Sequence, residues 1–195
     1  RFYGRAVRDS HHGGYGKISA ARAFEVSSNT AFTKMISEGY KNNPGKFVDR
    51  LDDMGVTRKI GLEIKGEGTP RIPHPDDKGW NGLSLPWMAF GYGVAVTPLQ
   101  TLTFYNAIAN DGEMVKPRFI KEVKEWDKTI VKMEREVMNP AICSPETAKK
   151  VREMMKNTVK RGTAANIYTP NFSMAGKTGT CQTEYWIEPG RYIAS

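Results

Sequence analysis

One pentapeptide, Gly176-Lys177-Thr178-Gly179-Thr180, constrains the fold of this 195-residue chain more than any other feature. It closes a run of small residues from Phe172 that predicts a β-strand through Thr180. On such a strand a fixed ammonium, two hydroxyls and a backbone N–H can converge on a carboxylate and a carbonyl oxygen. Gly179 would let another backbone approach the strand closely. The pentapeptide therefore predicts a strand that borders a binding site, and a plain surface turn with a lysine is the alternative.

A phosphate-binding loop is the rival interpretation of the same region. Asn171 to Thr178 nearly matches the pattern G-x-x-x-x-G-K-[ST]. Asn171 replaces the first glycine of the pattern, however, and that glycine permits the turn of the loop. The residues after Lys177 have strand character, whereas a phosphate-binding loop must run into the N-terminus of a helix. The sequence therefore disfavours nucleotide binding.

The second candidate site element is Ser27-Ser28-Asn29, which lies between two predicted helices. The first helix runs from about Ser19 through Val26, and the second from about Thr30 to Glu38, where Gly39 ends it. Serine and asparagine are poor inside helices and favoured at N-caps, so the triplet marks the break between the helices. By itself the triplet also fits a plain helix cap.

The remaining glycine, proline and apolar residues predict three more helices and several strands. The segments are a helix from Pro44 to Gly55, a core helix from Thr97-Pro98 to Asn110 that is apolar nearly all round, a helix from Ser144 to Gly162, two strands within 113–134 with Asp127-Lys128 between them, and a further strand over Tyr185 to Ile187. Residues 61–86 form a long irregular loop in this interpretation. The predicted class is α+β, mainly helical at about 17–110, with strands and one helix at about 111–195.

Charge and composition argue against several other function classes. The net charge of +8 comes from basic residues that are scattered and interrupted by acids, as in Lys121-Glu122, which predicts a solvated surface and no nucleic-acid partner. The chain has no run of about eighteen apolar residues, so no membrane span is predicted.

Cysteine and histidine give no metal or cofactor signal. Cys143 and Cys181 form no C-x-x-C pattern, and both two free thiols and a disulfide fit their spacing. His11 and His12 are adjacent on the chain without acidic or cysteine partners nearby, which favours a plain loop over a metal site. We expect no cofactor.

Taken together and in this order, the two site elements resemble a known family. Ser27-Ser28-Asn29 and Lys177-Thr178-Gly179 resemble the Ser-Asp-Asn and Lys-Thr-Gly elements of penicillin-binding proteins and class A β-lactamases, and their separation of about 150 residues is similar to that of high-molecular-weight transpeptidases. Phe90 to Gln100 and Arg161-Gly162-Thr163-Ala164 resemble class B penicillin-binding proteins. The whole chain, including Arg191 to Ser195, is most similar to the division-specific septal enzymes of Bacteroides-type bacteria.

The resemblance implies a fold, an activity and a location. The fold would be a partial penicillin-binding/β-lactamase-like transpeptidase fold, with a helical subdomain plus an incomplete antiparallel sheet. In the family, a serine of Ser-x-x-Lys attacks the D-Ala-D-Ala carbonyl of a peptidoglycan stem peptide, expels the last D-Ala and passes the acyl group to an amine, and β-lactams mimic that donor. The implied partners are stem peptides, β-lactams and division-complex membrane proteins, at the periplasmic face of the inner membrane.

The resemblance also implies a role for each matching residue. Ser27 would relay a proton toward the leaving amine, and Asn29 would hydrogen-bond the amide of the donor. Lys177 would hold the site positive for the substrate carboxylate, which the hydroxyls of Thr178 and Thr180 would contact. The backbone N–H of Thr180 would be one oxyanion-hole donor.

The chain departs from the family pattern at the nucleophile. None of its nine serines is followed by lysine three residues later. We therefore expect an internal part of a transpeptidase domain, cut at both ends, that is inactive alone and self-associates through an exposed sheet edge. The main alternative is a non-catalytic penicillin-binding-like module that contacts wall polymer or division partners without chemistry. A β-lactamase or antibiotic sensor disagrees with the chain length and with the Phe90 to Gln100 stretch.

Overall fold

The structure, a computed structural model, describes residues 2–182 and 192–194, and the side chains up to Thr180. Its helices are α1 (Ala20–Glu25), α2 (Asn29–Tyr40), α3 (Gly45–Asp53), α4 (Ser84–Met88), α5 (Pro98–Ala109) and α6 (Pro145–Arg161). Its strands are β1 (Met114–Val115), β2 (Glu122–Glu125), β3 (Lys128–Lys132), β4 (Val137–Asn139), β5 (Thr180–Gln182) and β6 (Tyr192–Ala194). The predicted α+β class is confirmed, and the strand predicted over Tyr185 to Ile187 lies outside the described residues.

The strands form three small antiparallel sheets of two strands each. β1 pairs with β4, β2 with β3, and β5 with β6. In the last pair, Thr180 stands opposite Ala194. The chain folds into two units: one joins the segment through Val7 with Phe32–Lys150, and the other joins Arg8–Ala31 with the chain from Val151 onward. The two site elements both belong to the second unit.

Local capping explains why most predicted helices begin where they do. The Ser19 hydroxyl accepts the N–H of Arg22 at the start of α1. At the start of α5, the Thr97 hydroxyl accepts the N–H of Gln100, whose side chain in turn accepts the N–H of Thr97. This reciprocal pair is a capping box, and it satisfies two N–H groups that the helix itself cannot pair.

Three sequence predictions about helices are wrong. Residues 61–86 do not stay irregular to their end, because α4 begins at Ser84. Gly39 does not end α2, because the chain keeps its helical backbone through Tyr40. Helix α5 is not buried all round: Ala107 is fully buried, whereas Leu102 on another face is 63% exposed. Its apolar composition therefore overstates its burial, since only one face of the helix packs against the core of the first unit.

The hairpin of β2 and β3 confirms two strands within 113–134, but the turn lies one residue earlier than predicted. Trp126 and Asp127 form the turn, and Lys128 already pairs with Glu125. Trp126 has a φ of 55° and is 95% exposed. The sheet-edge self-association expected from the sequence stays a prediction.

The core of the second unit lies between α1, α6 and the segments that follow them. Its buried apolar residues are Ala23, Val26, Met155, Val159 and Ala164. Three buried polar residues accompany them: Glu25, Ser28 and Thr158 are each no more than 1% exposed. Because buried polar groups must find partners, Glu25 and Ser28 mark where segments of the unit are joined by specific hydrogen bonds, whereas the Thr158 hydroxyl bonds the Met154 carbonyl within α6.

Within the described part of the chain, none of the helices combines the length and apolar character that a membrane span requires. Over the same residues, no three His, Cys, Asp or Glu side chains come together as a potential metal site. His11 instead bonds the Gly14 carbonyl and stacks on Tyr15.

Candidate active site

The break between α1 and α2 is a tight turn that Ser27 makes in a left-handed conformation. Its φ is 54°, and its N–H donates to the Phe24 carbonyl at 3.1 Å. The next N–H, of Ser28, reaches back to the Ala23 carbonyl at 2.9 Å. A left-handed serine costs about 1 kcal/mol or more, so the surrounding contacts must hold it there. Backbone strain of this kind concentrates at functional sites.

Ser27 meets the ammonium of Lys177, which is 150 residues away along the chain. Lys177 Nζ donates to Ser27 Oγ at 2.8 Å and to the Thr178 carbonyl at 3.0 Å. It also lies 5.9 Å from the ring centroid of Phe24, within the range of a cation–π contact. The predicted closeness of the two site elements is therefore observed for the serine hydroxyl and the lysine ammonium.

This contact leaves the serine able to move a proton. A hydroxyl that accepts from an ammonium keeps its own hydrogen, which it can donate to another acceptor. Burial lowers the pKa of the Lys177 ammonium, because the charged form loses hydration in this partly enclosed position. A lysine with a lowered pKa releases a proton more readily than an exposed lysine does.

Ser28 and Thr30 are held by Asp9, a residue that the sequence prediction did not include. The Asp9 carboxylate accepts the hydroxyl of Ser28 at 3.1 Å and the N–H and hydroxyl of Thr30 at 3.0 and 2.6 Å. Ser28 Oγ in turn accepts the N–H of Ala31. A carboxylate at the first turn of α2 also interacts favourably with the helix dipole. Ser28 thus caps the helix, while Ser27 faces the lysine.

Asn29 is the first residue of α2, and its side-chain amide contacts the backbone of Arg8. Its Nδ2 donates to the Arg8 carbonyl at 3.2 Å. An amide nitrogen carries two hydrogens, so this bond fixes the side chain and leaves a second donor hydrogen. The predicted contact of Asn29 with a substrate amide stays a prediction.

The Lys-Thr-Gly segment is irregular, and the chain enters a strand later than predicted. The N–H of Gly176 donates to the Met155 carbonyl of α6 at 3.3 Å, and β5 begins only at Thr180. Thr178 Oγ1 lies 2.5 Å from Thr163 Oγ1. Because the chain after Lys177 continues into β5 and not into a helix, the phosphate-loop interpretation is wrong. The roles predicted for Thr178, Gly179 and Thr180 stay predictions.

An ion pair with a buried carboxylate lies next to the Ser27 turn, and no sequence pattern predicts it. The Glu25 carboxylate, two residues before Ser27, is bound by Arg161, the last residue of α6. The Arg161 side chain holds the pKa of Glu25 below its usual value against the opposing effect of burial, and Arg22 assists. In the sequence, Arg161 stands out only as the first residue of Arg161-Gly162-Thr163-Ala164, which resembles class B penicillin-binding proteins. A glutamate beside an N-cap triplet carries no sequence signal that would reveal a partner 136 residues away.

The chain is similar to penicillin-binding proteins in both sequence and family model. Residues 3–187 match the family model described as the penicillin binding protein transpeptidase domain. The chain is 32% identical over 186 residues to penicillin-binding protein PbpB of Mycolicibacterium smegmatis, covering 92% of this chain and 28% of that protein. It is 26% identical over 189 residues to the probable peptidoglycan D,D-transpeptidase PenA of Neisseria flavescens, covering 96% of this chain and 42% of that protein.

A solved structure shows the same likeness. The crystal structure of penicillin binding protein 3 from Mycobacterium tuberculosis, complexed with aztreonam, superposes with a TM-score of 0.79 at 31% identity. The match covers 96% of this chain and 42% of that one. The chain thus spans less than half the length of each of these three proteins.

Proposed function

We propose that this chain, which belongs to the transpeptidase domains of class B penicillin-binding proteins, supplies part of the active site of a peptidoglycan D,D-transpeptidase. The reaction is acyl transfer: a serine nucleophile attacks the carbonyl of a D-Ala-D-Ala stem peptide, D-Ala leaves, and an amine takes the acyl group. The observation that carries the proposal is the 2.8 Å hydrogen bond between Lys177 Nζ and Ser27 Oγ.

The proposed roles follow from the chemistry of the groups that meet. Ser27 accepts from Lys177 and retains a hydrogen that it can pass to the leaving amine as the C–N bond breaks. Lys177 keeps the site positive for the carboxylate of the substrate, and the hydroxyls of Thr178 and Thr180 bind that carboxylate. Asn29 binds the amide of the donor peptide.

The oxyanion that forms at the attacked carbonyl is stabilised by the N–H of Thr180, the first residue of β5. A backbone donor on a strand is fixed before the reaction begins, so no reorganisation is needed when charge develops. The family's serine nucleophile, in Ser-x-x-Lys, is absent from these 195 residues, so the proposed roles cover binding, proton transfer and charge stabilisation.

The cellular role is a finer part of the proposal. We infer a septal enzyme that works with division-complex membrane proteins at the periplasmic face of the inner membrane, and that β-lactams acylate. The support is the resemblance of the chain as a whole to division-specific class B enzymes. The relative crystallised with aztreonam supports the β-lactam part.

Acylation by a fluorescent penicillin tests the proposal. The complete gene product should become covalently labelled, and Lys177→Ala should slow labelling by about a hundredfold, as expected for loss of a fixed donor in an acyl-transfer site. Lys34→Ala is the matched control, because the Lys34 side chain is 75% exposed on α2. Unchanged labelling of Lys177→Ala would remove the lysine from the site. No labelling of the wild-type product would favour the non-catalytic module.

A further inference from the structure

Glu25 is a buried carboxylate with three charge-assisted hydrogen bonds. Its side chain is 1% exposed. Its Oε1 accepts from Arg161 Nη2 at 2.9 Å, and its Oε2 accepts from Arg161 Nε at 3.2 Å and from Arg22 Nη1 at 3.0 Å. The pair with Arg161 is therefore bidentate, a geometry that fixes direction as well as distance.

The backbones at the ends of α1 and α6 are bonded to each other around this carboxylate. The N–H of Thr163 donates to the Glu25 carbonyl at 3.0 Å, and Arg22 Nη1 donates to the Arg161 carbonyl at 3.1 Å. Gly162 allows this approach, because a Cβ at that position would lie 2.2 Å from the Glu25 carbonyl oxygen. The two helix ends are therefore in direct backbone contact.

The contact between the two helix ends lies close in sequence to Ser27 on one side and is connected to Lys177 on the other. On the α1 side, Glu25 is separated from Ser27 only by Val26, which is 6% exposed. On the α6 side, Thr163 Oγ1 lies 2.5 Å from Thr178 Oγ1, and Thr178 is bonded to Lys177 directly. Ser27 and Lys177 are thus connected in two ways. They share a direct hydrogen bond, and they are linked indirectly through Glu25, Arg161–Thr163 and Thr178.

We propose that Glu25 and Arg161 are positioning residues for acyl transfer: their ion pair fixes the end of α1 against the end of α6 and so sets the distance between Ser27 Oγ and Lys177 Nζ. The proposal rests on the proposed function. Both residues act through the turn in which Ser27 takes its left-handed conformation. A shift of about 1 Å at a reacting group can cost roughly a hundredfold in rate. Loss of the ion pair between Glu25 and Arg161 should therefore slow the chemical step.

The test separates the acylation step from binding in the complete gene product. Saturation kinetics with a penicillin give a non-covalent dissociation constant and a first-order acylation constant. Glu25→Gln and Arg161→Lys should each lower the acylation constant by about tenfold to a hundredfold, with the dissociation constant within about threefold of wild type. Arg161→Lys keeps the charge but loses the two-pronged contact. Glu38→Gln, whose carboxylate is 65% exposed on α2, is the control and should change neither constant.

A purely structural role predicts another result. Loss of stability is expected in either case, but a purely structural role would leave the acylation constant of the labelled molecules unchanged and lower only the fraction that labels at completion. An acylation constant within twofold of wild type in a folded variant would overturn the positioning role, and failure of both variants to fold would assign the pair to stability alone. If the wild-type product is itself not acylated, the proposed function fails and the positioning role fails with it.

Discussion

Lys177 Nζ and Ser27 Oγ are 2.8 Å apart, although 150 residues of chain separate them. The hydrogen bond joins the turn between α1 and α2 to the segment that leads into β5. Because both segments belong to one unit of the fold, their contact is a property of that unit.

A polypeptide of these 195 residues alone should form no covalent adduct with a fluorescent penicillin. None of its serines has a lysine three positions later, and the roles proposed for the remaining site groups do not include attack on a carbonyl. Denaturing electrophoresis after labelling checks this, with the complete gene product as the positive control. A labelled band that survives denaturation would contradict the assignment of roles.

Acylation should fall on the alkaline side at a pH below the usual pKa of lysine. Burial lowers the pKa of Lys177, so the ammonium that the site requires is lost as the pH rises through that lowered value. Lys177→Arg should move the alkaline limb to higher pH, because a guanidinium stays protonated. The pH profile of the acylation rate for both proteins tests this. An identical alkaline limb in the two proteins would show that another group titrates.

Acid should remove the stabilisation that the Glu25 ion pair provides. Arg161 and, secondarily, Arg22 lower the pKa of Glu25 in the folded state, so the stabilisation is full above the unfolded pKa and disappears as the pH falls through the folded pKa. At neutral pH, Glu25→Gln should reduce the free energy of unfolding by about 1–3 kcal/mol. Both arginines are partly exposed, which keeps the expected loss below that of a fully buried pair.

Urea unfolding between pH 7 and about pH 3 checks this linkage. The difference in unfolding free energy between wild type and Glu25→Gln should shrink on acidification, and Glu38→Gln should show no such trend. A difference that stays constant over this range would mean that folding does not lower the pKa of the Glu25 carboxylate.

Gly162→Ala should destabilise the protein and slow acylation together. Its new Cβ would lie 2.2 Å from the Glu25 carbonyl oxygen and 2.8 Å from Thr158 backbone atoms, so the ends of α1 and α6 must separate. Gly39→Ala is the matched control, because nothing lies within 4 Å of its added Cβ inside α2. That change should stabilise the helix by about 0.5–1 kcal/mol. Thermal unfolding and acylation rates of both variants test this. Equal melting temperatures and equal acylation rates for Gly162→Ala and Gly39→Ala would contradict the close approach at Gly162.

Local sequence signals predicted much of the fold. The beginnings of α1, α3, α5 and α6 follow from capping or proline residues at Ser19, Pro44, Thr97 and Ser144, whose effects depend on neighbours only a few residues away. The turn of the β2–β3 hairpin was misplaced by one residue because Trp126, a bulky residue, takes a positive φ that turn preferences do not favour.

The site was predictable only in part, for a physical reason. The motifs pointed to Ser27 and Lys177, and the structure brings these two together. Asp9, Glu25 and their hydrogen bonds could not be predicted, because they depend on how distant segments pack and not on any local pattern. Leu102 shows the same limit: its apolar character predicted burial, but the packing of α5 leaves it exposed.

The most direct test of the account is a double-mutant cycle on the acylation rate of the complete gene product, with Ser27→Ala, Lys177→Ala and the two changes combined. If the ammonium and the hydroxyl act as one unit, the double variant should be within a few fold of the slower single variant. If the losses of the two single variants multiply instead, the residues act independently, and the bond between them is not the centre of the site.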